Sequence, residues 1–134
     1  MGMSENIARR LNLAGYPQPE YKNYNSGQQF LTVDGISLVF CNGKFIEINT
    51  GIKHNEYVGV CFDYAPPVEE LLRHPFFKLS AVSFDSHKMQ WQLKTFESQR
   101  ENKYDYGDNL AELLGTLLAE HLEKENNGKT SKGD

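Results

Sequence analysis

The chain lacks any apolar run approaching the ~18 residues that a membrane-spanning helix needs, and its start has no basic segment leading into an apolar one. Neither a membrane protein nor a secretory precursor is expected; a cytoplasmic location is. Gly2 would suit N-terminal acylation, but Asn6 stands where that signal wants Ser or Thr. Cysteine is scarce. Cys41 and Cys61 are the only two in 134 residues, and each lies in an apolar run, which suits buried thiols in a reducing compartment better than a disulfide. Cationic excess is missing as well. With 14 Lys and Arg against 18 Asp and Glu the formal charge is -4, so the mean field repels a phosphate backbone and nucleic acid is not an expected partner.

The motifs that carry chemistry are also missing. A zinc site wants Cys-x-x-Cys or His-Glu-x-x-His, so that one rigid element presents two ligands together, and neither occurs. His54, His74, His87 and His121 are scattered over separate segments. The glycines form no phosphate cradle between a strand and a helix, and no Gly-x-Ser-x-Gly elbow exposes a serine nucleophile. No cofactor, metal or catalytic residue is therefore expected, and the chain reads as a binding protein rather than an enzyme. The one enzymatic alternative is an acid/base site assembled in the fold from Glu47, Asp63, Glu69 and Glu70, because spacing along the chain does not decide proximity. Tyr16, Tyr21 and Tyr24 lie in a Pro-containing loop with too few basic neighbours for a stacking groove on single-stranded nucleic acid.

What is present is the composition of an ordinary folded domain, 39% hydrophobic and 24% charged. Residues 4–13 predict a short amphipathic helix, with Ser4 as N-cap, Ile7 and Leu11 on one face, and Gly15 with Pro17 and Pro19 as its stop. Residues 30–33, 36–41 and 44–49 read as strands broken by Asp34-Gly35 and Asn42-Gly43. The second pair is the strongest local signal, since a two-residue type I′ turn needs positive φ twice and Asn-Gly supplies it. A further strand is expected over 57–62, making a meander of three or four. Ala65-Pro66-Pro67 ends it, residues 68–73 predict a short helix, and His74-Pro75 ends that.

Residues 76–84 and 88–96 follow as a second hairpin around Asp85-Ser86-His87, and residues 97–106 read as a charged loop. Asn109, with Glu112 three residues on, opens the strongest helix, whose Leu110, Leu113, Leu114, Leu117, Leu118 and Leu122 form a wide apolar stripe. The expected fold is α+β: a mostly antiparallel twisted sheet of about five to six strands with helices at the N-terminus, in the middle and at the C-terminus. A single domain over residues 4–124 with a disordered polar tail over 125–134 completes the expectation.

In this element order the chain resembles the class I chaperones of bacterial type III secretion. The resemblance is clearest in residues 36–48, a hairpin around a polar turn, and in residues 57–67, a strand running into proline, and it extends over residues 6–124 as a pattern of apolar positions. It implies a cytoplasmic homodimer that holds an extended segment of a secreted effector in apolar grooves. Carried onto this chain, the partner-binding candidates are Ile7, Leu11, Phe30, Leu38, Phe40, Ile46 and Val58. The dimer-interface candidates are Leu71, Leu72, Phe77, Leu79 and Trp91. The alternative reading is an immunity protein, a small acidic partner that caps a toxin through complementary charge.

Overall fold

Ser4 opens the first helix, α1 (Glu5–Leu13), and its hydroxyl accepts from the Ile7 N–H at 3.4 Å, satisfying one of the donors a helix start leaves over. The other end closes on a Schellman motif. Gly15, at φ 100°, lets the Tyr16 N–H return to the Leu11 carbonyl at 2.8 Å and its own N–H to Asn12 at 3.1 Å. Ile7, Ala8 and Leu11 are the buried stripe, as the four-residue spacing predicts. The structure is a computed structural model that describes residues 2–20, 23–54, 62–96 and 102–132.

Four strands follow in chain order as a meander: β1 (Gln29–Thr32), β2 (Ser37–Cys41), β3 (Lys44–Glu47) and β4 (Lys53–His54). At the β2–β3 hairpin Asn42 and Gly43 take φ of 50° and 80°, and Cys41 pairs with Lys44. The fifth, β5 (Phe62–Ala65), does not extend the meander. It pairs antiparallel with β1, giving the order β4-β3-β2-β1-β5. The reason is backbone satisfaction. Phe30, Leu31 and Thr32 are buried, and an edge strand there would leave main-chain donors and acceptors without partners or water. Lys53 and His54, between the expected strands, supply β4, and residues 57–61 of the expected fourth strand lie outside the described residues.

Register sorts the side chains. Phe30 faces Leu38 and Tyr64, Phe40 faces Phe45, and Phe45 faces His54, so these share one side of the sheet. Tyr24 joins them, with ring centroids 5.1 Å from Phe30, 5.5 Å from Phe40 and 5.6 Å from Phe45, all edge-on. The opposite side carries Leu31, Val39, Ile46, Asp63 and Ala65, and α1 lies against it, for the Asn12 amide donates to the Asp63 carboxylate.

The chain divides into two compact units: Ser4–Pro66, and Pro67–Asp134 together with Met1–Met3. Pro66 and Pro67 end the first ladder, and the residues beyond build a sheet of their own. In that second unit α2 (Val68–Leu72) leads into a 3₁₀ turn at Pro75–Phe77. Strands β6 (Ser80–Asp85), β7 (Gln90–Thr95) and β8 (Lys103–Gly107) then form an antiparallel sheet in that order. The expected strand from residue 76 starts at Ser80 instead, since proline fixes the turn before it. All of β8 but Gly107 falls within the loop expected over 97–106. Asn109 caps α3 (Leu110–Lys132), its side-chain oxygen accepting from the Glu112 N–H at 3.3 Å. The helix runs to Lys132, past the expected start of the tail at residue 125. The α+β class holds, as two antiparallel sheets of five and three strands rather than one of about six.

Candidate protein-binding surface

The partner-binding residues expected from the resemblance lie mostly in the core. Ile7, Leu11, Phe30 and Leu38 are buried, Leu11 and Leu38 completely, and buried side chains offer no groove to another chain. Phe40 and Ile46 are half-buried on opposite sides of the sheet, because pairing of Cys41 with Lys44 puts Phe45, not Ile46, beside Phe40. Val58 lies outside the described residues. Among the dimer candidates Leu71 and Phe77 are buried, Trp91 is half-buried with its ring 5.2 Å from that of Phe84, and Leu72 and Leu79 are exposed. Fully burying one Leu or Phe contributes ~1.5–3 kcal/mol, so an isolated chain places its largest apolar side chains inside first.

Two carboxylates of the enzymatic alternative, Glu47 and Asp63, lie on opposite sides of the first sheet. Glu47 accepts from or pairs with His54 Nε2 at 3.0 Å on the aromatic side of the first sheet, whereas Asp63 faces Asn12 on the other side. Glu69 and Glu70 belong to α2 in the second unit. Among the described residues no group of three His, Cys, Asp or Glu is placed to hold a metal ion, and no helix is long and apolar enough to cross a membrane.

The surface that the sequence did not single out is one side of the β6–β8 sheet. A Cβ added at Gly107 would sit 3.2 Å from the Leu113 side chain, so α3 presses on the side that Gly107, Trp91 and Phe84 share by register. Leu93 and Val82 point the same way, and Leu93 is buried. The alternate residues face away from α3. They form rows across the strands: Ala81, Lys94 and Tyr104, then Ser83, Gln92 and Tyr106. Leu79 and Phe96 add a row beyond them, joined by the Phe96 N–H donating to the Leu79 carbonyl at 2.8 Å.

On this side Leu79 is 62% exposed, Tyr104 47%, Phe96 44% and Tyr106 40%, so four large apolar side chains stand on one face in solvent. Its polar groups are tied into the same surface. Lys94 Nζ lies 5.0 Å from the Phe96 ring centroid and 5.9 Å from that of Tyr104, and Lys88 Nζ lies 4.1 Å from that of Tyr106. Gln92 accepts from the Ser83 hydroxyl at 3.2 Å and donates to the Tyr106 oxygen at 3.4 Å. The signal that could have found this face is the alternation Tyr104-Asp105-Tyr106 in phase with Gln92 and Lys94, hidden by the charge of the surrounding residues. Comparisons of the chain with protein-family models, with curated proteins and with solved structures gave no match in any of the three.

Proposed function

We propose that the chain is a protein-binding module that holds an extended segment of a secreted protein, as the secretion chaperones its sequence resembles do, and that the open side of β6, β7 and β8 makes the contact. The observation that carries the reading is the cluster of Leu79, Phe96, Tyr104 and Tyr106 on one exposed sheet face. Tyrosines at such a place bury a ring while their hydroxyls keep a hydrogen bond, which suits a surface that is wet when free and covered when bound. Strand β8 has a ladder partner on one side only among the described residues, so an extended segment can add there as a further strand. This reading moves the contact away from Ile7, Leu11, Phe30 and Leu38, and gives to the partner Leu79, which the resemblance implies at the dimer interface.

The experiment is copurification of the full chain from its own cells beside a Leu79→Asp, Tyr104→Asp double variant, with mass spectrometry of bound proteins and light scattering on each. A secreted protein retained by the wild type and lost by the variant is the expected result. A wild type that brings nothing down, or a variant that keeps the same protein, overturns the reading. A toxin in that position turns the role to immunity, and a homodimer dissolved by the variant assigns the face to a second copy of the chain.

A further inference from the structure

We propose that His74 and His121 form a latch on Phe76 that acid releases, loosening the junction between α2 and β6. One residue is held twice. The Phe76 N–H donates to His74 Nδ1 at 3.1 Å, and the Phe76 ring stacks on that of His121 with centroids 4.4 Å apart and planes 21° from parallel. His121 Nε2 lies 3.1 Å from Glu125 one turn along α3. The next residue, Phe77, is buried with its ring 5.0 Å from that of Phe76, so the 3₁₀ turn is the strap that carries a core side chain.

The first half of the latch works only while His74 is neutral. A backbone N–H needs a lone pair, which Nδ1 offers when the ring proton is on Nε2; in the imidazolium both nitrogens are donors and the cap is lost. Burial holds His74 below its ordinary value of 6.5, with repulsion from His121 adding to this and attraction from Glu125 opposing it. The other charged residues on the two short helices that His74 joins are Glu69, Glu70, Arg73 and Lys78, of which Glu69, Arg73 and Lys78 are exposed. Since the folded chain takes up this proton less readily than the unfolded one, the stability it contributes is present above about pH 6.5 and is lost as pH falls through and below that value.

The test is urea unfolding of the full chain between about pH 7.5 and about pH 5, wild type against His74→Asn, with NMR titration of the histidine ring protons. Asparagine keeps an acceptor at the cap and does not titrate. The latch requires the wild-type midpoint to fall across this range more steeply than that of H74N, and His74 to titrate below 6.5. Equal slopes, or titration at or above that value, overturn it. If H74N does not fold, the ring titration of His74 in two other variants decides. His121→Asn should move it upward and Glu125→Gln downward, and the opposite pair of shifts removes the proposal.

Discussion

The first and second sheets are built from the same alternating code and differ in how many of their sides are covered. Along β1, the neighbours Phe30, Leu31 and Thr32 point alternately to the two sides and all three are buried. Along β7, Leu93 is buried while Gln92 and Lys94 on either side of it face away from α3. A strand whose two sides are both buried gains from every residue, and a strand covered once gains from every second one. The comparison teaches where this molecule has surface to offer. The five-stranded sheet is committed to its own core, and the three-stranded sheet keeps a side free for something else.

The largest expected effects test the doubly covered strand. Phe30→Ala should cost ~3–5 kcal/mol in urea unfolding, because the ring leaves a cavity among Tyr24, Phe45, Phe62 and Tyr64. Leu31→Ala, one residue on and on the other side, should cost ~2–5 kcal/mol as well. A change under ~0.5 kcal/mol at either position breaks the claim that both sides are buried. In β7 the pattern should alternate: Leu93→Ala costs ~2–5 kcal/mol.

A smaller loss is expected at the link between α1 and the first sheet. Asn12→Ala removes the amide that meets the buried Asp63, and a buried acceptor left without its donor costs ~1–3 kcal/mol. Gly43→Ala should cost ~1–2 kcal/mol, since alanine is strained at the φ of 80° that the two-residue hairpin imposes. The smallest expected effect sharpens the comparison most. Tyr104→Ser on the open side should leave stability within ~0.5 kcal/mol of the wild type while weakening capture of the partner, and a loss as large as that at Leu93 would make this side a covered one.

Much of the fold is legible in the sequence because its signals are local. Ser4 at the start of α1, Gly15 at its end, Asn42-Gly43 in the hairpin and Asn109 with Glu112 at α3 each satisfy or shape backbone groups within a few residues. The Asn-Gly turn even implies that Phe40 meets Phe45, so the opposite placement of Ile46 could be worked out from it. The strand at Lys103–Gly107 was harder to see, for Lys103 and Asp105 disguise two tyrosines on one side. The site was less legible than the fold. An apolar residue in a strand reads the same whether it is destined for the core or for a partner, and Leu38 and Leu79 differ only in what the chain later packs over them.

By itself the sequence determined the α+β class, where the three helices begin and where α1 ends, the tight hairpin and the break at Pro66 and Pro67, all of which depend on steric and hydrogen-bonding rules that act over a few residues. The tertiary structure alone decided that β5 returns beside β1, that the chain forms two units with separate sheets, and that one side of β6–β8 stays uncovered. These are choices among distant segments competing for the same surfaces, and their outcome is set by which pairing leaves the fewest buried backbone groups without a partner.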